Sequence, residues 1–187
     1  MENENQHDTP TLIAPSAGQR GMTELHYAAY CNDADATRAQ LELGTSPDIR
    51  DENGWTPLHW SVDMCQTGGE PEQVVCLLLG AGALANAIDK SGVSVLMMAC
   101  GRNNEQIVEH LIRYGADVRP RSTRGTTALH EAAGCNFFEV IPRLLILGAD
   151  PNQIDERGET AEQIAEQCGF EQSAAILKAA RLSKLPC

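Results

Sequence analysis

The chain has 187 residues, of which 42% are hydrophobic and only 4% aromatic, so alanine and small aliphatic side chains must form most of the core. Its formal net charge of −12 disfavours nucleic acid and anionic membrane surfaces as partners and would attract a basic protein patch. The seven cysteines are odd in number and have no CxxC spacing, which favours reduced thiols in a cytosolic compartment.

Residues 1–19 have neither helical nor strand periodicity and are predicted to be a disordered tail. The rest of the chain is internally repetitive. One series of glycines advances in steps of 33, 38, 33 and 33 residues, so a five-residue insertion lies in the second unit. The members of this series are Gly21, Gly54, Gly92, Gly125 and Gly158. Such a period predicts a stack of similar units, each in contact with its neighbours.

Each unit has the pattern of two helices. The first follows the turn glycine and begins at a capping residue such as Thr56, with Pro57 at a position that needs no backbone N–H. The second carries a 3.6-residue apolar stripe, as in residues 74–79 and 107–112. It ends at a glycine such as Gly82, which can adopt a left-handed C-cap. The pattern therefore predicts an all-α chain with extended segments between units.

Two stretches, Thr56–His59 and Gly148–Asn152, carry the motifs TPLH and GADPN, and they resemble the ankyrin repeat family. The resemblance covers about residues 20–182. It implies an all-α ankyrin-repeat solenoid of five helix-turn-helix repeats with β-hairpin-like finger loops. The repeats are expected at about 20–52, 53–90, 91–123, 124–156 and 157–182, followed by a C-terminal tail at 183–187.

The first and last repeats depart from the apolar pattern of the others. Their second helices carry Thr37 and Gln40 in repeat 1, and Ser173 and Lys178 in repeat 5. Terminal repeats expose one face to water, so both ends are interpreted as capped and we expect a complete stack of five. Glu162 replaces the leucine of the other repeats, which predicts looser packing in repeat 5.

Histidines and cysteines are the candidates for chemistry. His26, His59 and His130 stand last in the TPLH-like motif, where the resemblance implies hydrogen bonds between neighbouring repeats. They lie one or more repeats apart, which does not suit a zinc site, and Cys100 is expected to be a buried small hydrophobe. Motifs for a serine nucleophile, a phosphate loop, a zinc protease or a dinucleotide are absent from the sequence. We therefore expect no enzymatic activity, no cofactor and no metal.

The predicted binding face consists of positions that vary between repeats, which form the concave and finger face in proteins similar to this one. In repeats 1 to 3 these positions carry tryptophan, tyrosine and methionine, residue types enriched in interface cores and hot spots. The predicted partner-binding residues are Met22, Tyr27, Tyr30, Trp55, Trp60, Met64 and Met98. In the competing interpretation, Trp55 and Trp60 pack on each other and only shield the stack.

Two other surfaces are weaker candidates. The inserted segment, residues 66–72, is either a working loop or tolerated drift. Ile146 and Leu147 beside Phe137-Phe138 would form an apolar convex patch or a self-association surface. Pro142 lies early in the neighbouring helix and is expected to kink it.

The function that these features favour is a non-catalytic protein–protein interaction module. It would bind a protein or peptide on the concave and finger face, as a monomer in the cytoplasm. The competing function is a regulatory or inhibitory subunit that binds an enzyme, such as a toxin neutraliser or an injected effector acting in a host-cell cytosol. An enzyme with a hidden site is a third class, disfavoured because a thin helical stack offers no deep cleft.

Overall fold

Ten α-helices form within residues 21–63 and 71–183, the ranges that the computed structural model describes. None of these helices is long and apolar enough to cross a membrane. Their bounds are α1 Glu24–Tyr30, α2 Ala34–Glu42, α3 Pro57–Asp63, α4 Pro71–Gly80, α5 Val95–Gly101, α6 Glu105–Arg113, α7 Ala128–Gly134, α8 Ile141–Ile146, α9 Ala161–Gln167 and α10 Glu171–Ser183.

The helices form two layers. The odd-numbered helices pack on one another in order, from α1 on α3 to α7 on α9, and form the inner layer. In the outer layer α2 packs on α4, α4 on α6, and α8 on α10. Each inner helix also contacts the outer helix that follows it. This confirms the predicted all-α solenoid of five helix pairs; the N-terminal tail predicted at 1–19 lies outside the described residues.

The finger loops between repeats are short and hydrogen-bonded to one another. Ile88 with Ser94, and Ile154 with Thr160, form single antiparallel bridges at the base of two fingers. Backbone bonds join the tips of adjacent fingers: Lys90 N–H to Asn53 O at 3.0 Å, Thr123 N–H to Ser91 O at 2.8 Å, and Glu156 N–H to Arg124 O at 2.8 Å. The fingers are thereby held in a continuous row along one edge of the stack.

Gly54 shows why a turn glycine recurs with the repeat. Its φ of +81° is a conformation that other residues resist, and a Cβ there would lie 3.1 Å from the backbone nitrogen of Lys90. Because Lys90 donates to the neighbouring Asn53 carbonyl, the two fingers cannot separate to make room. The glycine step predicted from the sequence is therefore the step at which one finger packs against the next.

One leucine in each of the outer helices α4, α6, α8 and α10 forms the centre of the core. These four fully buried side chains are Leu78, Leu111, Leu144 and Leu177. The same position in repeat 1 is Gln40, which is only half-buried, and Lys178 is exposed in repeat 5, as expected for terminal repeats. Thr37, in contrast, is fully buried, so only part of the outer face of repeat 1 is exposed to solvent.

Glu162 is buried in the last repeat despite its charge. Its side chain replaces the leucine that the other four repeats carry at this position, and Oε2 accepts a hydrogen bond from Nη1 of Arg181 at 2.6 Å. The ion pair joins α9 to α10 where other repeats use an apolar contact. The expectation of loose packing at this position was therefore wrong, because the arginine of the following helix neutralises the carboxylate.

Pro142 does not kink its helix. α8 begins at Ile141, so Pro142 lies in the first turn, where its missing N–H leaves no bond unmade. The prediction of a kink was therefore wrong, and α8 has six residues.

Candidate functional site

His26 and His130 connect neighbouring repeats. In each, Nδ1 accepts the backbone N–H of the capping threonine three residues earlier, at 3.1 Å from Thr23 and 3.2 Å from Thr127. Nε2 then donates to a carbonyl of the next repeat, Trp55 O for His26 and Glu159 O for His130, both at 3.1 Å. The predicted structural role is confirmed for these two histidines.

His59 caps its helix in the same way and is fully buried. Its Nδ1 accepts the N–H of Thr56 at 3.2 Å, while Nε2 lies near the Val93 carbonyl but outside hydrogen-bonding geometry. Burial lowers the pKa of His59 to about 4. At neutral pH the ring is therefore uncharged, as an Nδ1 acceptor requires.

The histidine position in repeats 3 and 5 carries Met97 and Gln163. Gln163 reproduces the cap, because its Oε1 accepts the backbone N–H of Thr160 at 2.9 Å. A side chain that can be replaced by methionine or glutamine within the same stack serves packing and capping. The histidine position of the repeats therefore has no role that requires proton transfer.

Cys76 and His110 form a cysteine–histidine contact that sequence spacing did not predict, with Sγ 3.5 Å from Nδ1. The two residues come from α4 and α6, one repeat apart. Burial raises the pKa of the Cys76 thiol, so it is not the activated thiolate that a nucleophile requires. Cys100 is fully buried, as predicted, and burial raises the pKa of its thiol as well. Across the described ranges, no group of three or more His, Cys, Asp or Glu side chains converges as a metal site would.

Four aromatic side chains of repeats 1 and 2 meet in what we term the aromatic cluster: Tyr27, Tyr30, Trp55 and Trp60. Ring centroids are 6.4 Å apart for Tyr27 and Tyr30, 5.6 Å for Tyr30 and Trp60, and 4.8 Å for Trp55 and Trp60. The Tyr30–Trp60 pair is edge-to-face, an arrangement favoured by the ring quadrupoles. Residues selected by their variable positions in the sequence thus form one continuous set of rings.

The members of the predicted binding set differ in exposure. Tyr27, Tyr30, Trp55 and Met98 are half-buried and present part of their surface to solvent. Trp60 is only 5% exposed because it packs between Tyr30 and Trp55, and Met22 is only 3% exposed because its flexible side chain folds onto the core. The expectation that these two form the contact surface was therefore wrong, and Trp60 instead supports the rings around it. Met64 lies outside the described residues.

Finger aspartates hold the two indoles, a role that sequence reasoning missed. Asp51 Oδ1 accepts the backbone N–H of Asn53 and of Trp55, both at 2.8 Å, and its Oδ2 accepts Trp60 Nε1–H at 3.2 Å. Asp89 of the next finger accepts Trp55 Nε1–H at 3.2 Å. The available signal was an aspartate three residues before the turn glycine in three of the fingers: Asp51, Asp89 and Asp155.

Backbone donors also determine the charge state of such a carboxylate. The backbone N–H of Glu159 and then that of Arg157 hold the pKa of Asp155 below its usual value. At the end of repeat 3, Ser122 takes the place of the aspartate, and its Oγ accepts the N–H of Arg124 and of Thr126, both at 3.2 Å. An oxygen acceptor at this position thus stabilises the turn in the four fingers at Asp51, Asp89, Ser122 and Asp155.

We expect the Asp51→Ala variant to be destabilised by about 1–3 kcal/mol. The substitution removes two turn hydrogen bonds and leaves the buried indole N–H of Trp60 without a partner. Urea unfolding followed by tryptophan fluorescence measures the loss. Asp51→Asn retains an oxygen acceptor and should lose less, and an alanine variant as stable as wild type would contradict this role of the finger aspartate.

A groove lies beside the aromatic cluster on the same face; we term it the central groove. Its volume is about 370 Å³, and it crosses repeats 2 to 4. Its lining includes Trp55, Asp63, Met98, Gly101, Arg102 and Glu131. Arg102 pairs with Asp63 across the groove, whereas burial raises the pKa of Glu131. The groove therefore combines apolar surface with a partly desolvated carboxylate.

The two weaker candidate surfaces are less well supported. Most of the insertion at 66–72 lies outside the described residues, and its last two residues, Pro71 and Glu72, begin α4. Ile146 is 79% exposed and Leu147 42%, but Phe137 is buried and does not join them. The apolar convex patch is therefore smaller than the sequence suggested.

Comparison with known proteins agrees with this architecture. Residues 63–155 and 96–182 match the family model described as "Ankyrin repeats (3 copies)". Human "SH3 and multiple ankyrin repeat domains protein 2" is 40% identical over 81 residues, which is 43% of this chain and 4% of that protein. The human and mouse proteins named "SH3 and multiple ankyrin repeat domains protein 1" are each 38% identical over 80 residues, again 43% of this chain and 4% of the relative.

Proposed function

Because the chain belongs to the ankyrin repeat family, we propose that it binds a protein or peptide on its concave and finger face, without catalysing a reaction. Ankyrin repeats are in general protein–protein interaction modules. The observation that carries the proposal is the aromatic cluster, in which Tyr27, Tyr30 and Trp55 remain half-exposed around a buried Trp60. Tyrosine and tryptophan dominate interface hot spots, so contacts with these side chains would contribute most of the binding free energy.

The aromatic cluster is held in place before any partner arrives. Asp51 and Asp89 hold the two indole N–H groups, and the fingers that carry them are joined by backbone bonds. Side chains already fixed in one rotamer lose little conformational entropy on binding, and this loss is a main cost of association. This supports the concave face over the convex face, where Leu43 and Ile146 are each 79% exposed and stand apart from the core cluster.

The relatives support only the general part of this proposal. The chain spans about 4% of their length, so what the whole proteins bind does not transfer to it. We also propose that the protein is a monomer in a reducing, cytoplasmic compartment. The free cysteines of the described residues support the compartment: Cys31, Cys76, Cys100, Cys135 and Cys168.

Affinity capture from native lysate with two matched triple variants tests the binding face. The concave variant carries Tyr27→Ala, Tyr30→Ala and Met98→Ala, whereas the convex variant carries Leu43→Ala, Tyr114→Ala and Ile146→Ala. Both remove three large side chains that reach the surface. We expect quantitative mass spectrometry to show at least about a tenfold loss of specific partners with the concave variant alone, since a hot-spot truncation costs about 2 kcal/mol or more and about 1.4 kcal/mol is a factor of ten.

Loss of partners with the convex variant alone would move the binding face to the outer helices. Equal retention by both variants would remove the concave-face proposal. If the captured partner is an enzyme whose turnover falls when the purified protein is added, the regulatory-subunit function would be preferred. Turnover of a substrate by the purified protein alone would contradict the non-catalytic assignment.

A further inference from the structure

Glu131 stands out among the carboxylates of the concave face. It lies on α7, and burial raises its pKa. Within residues 21–63 and 71–183, no side chain makes an ion pair or hydrogen bond with its carboxylate. Arg124 is the cation that influences it electrostatically, but Arg124 donates to Glu156 at 2.7 Å. Glu131 therefore carries a desolvation cost that no described hydrogen bond or ion pair offsets.

Glu131 packs closely against the backbone of the neighbouring repeat. Its Oε2 lies 3.2 Å from the point that a Cβ would occupy at Gly101, so an alanine there would crowd the carboxylate. Repeats 1 and 2 carry Tyr30 and Asp63 at the position equivalent to Gly101. The glycine therefore lets the carboxylate lie in the lining of the central groove, whose volume of about 370 Å³ is the space for a ligand group.

The other walls suit an aliphatic stem with a cationic end. Trp55 and Met98 supply apolar surface, and the face of an indole attracts cations. Arg102, the arginine that lines the groove, is already paired with Asp63. An approaching cation would therefore meet a carboxylate whose charge is not yet balanced.

We propose that the central groove receives a lysine or arginine side chain of the bound protein. Its methylene stem lies on Trp55 and Met98, and its charged end pairs with Glu131. This rests on the proposed function, since it assigns the chemistry of the partner at that same face. The net charge of −12 favours the same partner at long range, because a basic segment is drawn towards an acidic surface.

Other occupants fit the groove less well. An apolar side chain would complete the burial of Glu131 without pairing it, which is the costly case for a charged group. An acidic side chain would be repelled by Glu131, and Arg102 is already paired with Asp63. A basic side chain is the choice that turns a desolvated carboxylate into a charge-assisted hydrogen bond.

Titration with small amides tests this without knowledge of the partner. The probes are the N-acetyl methylamides of arginine, lysine and citrulline, added to the full chain labelled with nitrogen-15 in buffer of constant ionic strength. Citrulline has nearly the shape of arginine but no charge. We expect saturable shifts of the Gly101 and Glu131 amides and of the Trp55 indole with arginine or lysine, and affinity about tenfold weaker with citrulline.

Two variants identify the carboxylate. Glu131→Gln should weaken the basic probes about tenfold, whereas the exposed Glu139→Gln, which changes the net charge equally, should bind them as wild type does. Gly101→Ala keeps the carboxylate but places a methyl group about 3.2 Å from Oε2, so it should displace Glu131 from its position in the groove and also weaken binding. Similar binding of arginine and citrulline, or an unchanged affinity in Glu131→Gln, would overturn the proposal.

Failure here is distinguishable from failure of the proposed function. If captured partners are lost with the concave triple variant but bind Glu131→Gln as tightly as wild type, the concave face stands as a binding site. The basic side chain would then be excluded. If the basic probes shift the Gly101 amide but the concave variant captures partners as well as wild type does, the groove binds a cation without serving the proposed interface.

Discussion

Replacing His59 with glutamine is expected to remove about 3 kcal/mol of acid sensitivity from the unfolding free energy between pH 6.5 and pH 4. Burial lowers the pKa of His59 from 6.5 to about 4. Between pH 6.5 and pH 4, His59 is therefore protonated in the unfolded chain but neutral in the folded chain. The stability contributed by the neutral ring is complete above pH 6.5. It is lost as the pH falls through this window, and below pH 4 this residue adds no further loss.

Glutamine is a suitable replacement because the stack already uses it. Gln163 accepts the N–H of Thr160 through Oε1 at 2.9 Å, as His59 accepts that of Thr56 through Nδ1 at 3.2 Å. The cap is therefore kept while the titrating group is removed. Protonation of Nδ1 would instead turn this acceptor into a donor that faces an N–H.

Urea unfolding at half-unit pH steps measures the difference between wild type and variant. The other histidines in this row, His26 and His130, also have their pKa lowered by burial, so part of the acid sensitivity should remain in the variant. Glu131 has the opposite effect on stability. Its raised pKa means that, as the pH falls, the folded chain is protonated at this residue before the unfolded chain, which favours the folded state. Both contributions cancel in the comparison, and identical pH profiles for the two proteins would contradict the role assigned to His59.

Truncating Leu111 to alanine is expected to lower the free energy of unfolding by about 2–5 kcal/mol. Leu111 is fully buried on α6, in the middle of the stack, and its loss leaves a cavity at the centre of the outer layer. A repeat array is stabilised by contacts between nearest neighbours, so a defect in the middle weakens the repeats on both sides. Chemical denaturation monitored by circular dichroism measures the effect.

Leu177→Ala is the matched control, because Leu177 occupies the same position in α10 and is equally buried. At the end of the described stack, its loss should loosen α10 and α9 and leave the inner repeats close to their original stability. Hydrogen exchange would then be faster within residues 161–183 alone. If the two variants lower the stability of all repeats equally, the stack unfolds as one unit and the nearest-neighbour description does not hold.

The fold was predictable from the chain because local rules and the repeat agree. The glycine steps located the fingers, Pro57 and the threonines marked where inner helices begin, and the apolar stripes identified the outer helices. The prediction for Glu162 was wrong because of a distant partner. Glu162 is buried because Arg181, 19 residues later, reaches it.

The candidate site was less predictable for the same physical reason. Sequence phase selected the row of variable positions, and Tyr27, Tyr30 and Trp55 do lie together on the surface. The position of a residue within the repeat does not determine its exposure, since Trp60 occupies the same position in repeat 2 as Tyr27 in repeat 1 yet is covered by its neighbours. Residues that support the rings, such as Asp51, escaped notice because their role depends on an indole nine residues away.

The sequence by itself determined the periodic parts of this protein: the helix pairs, the turns and the capping residues. Each follows from backbone conformation and from contacts that recur with the period of the repeat. Only the tertiary structure decided which aromatic rings face solvent, how Cys76 meets His110, and that Glu131 packs against Gly101 without a described hydrogen-bond or ion-pair partner. Burial and pairing depend on side chains from several repeats at once, and no spacing within one repeat contains that information.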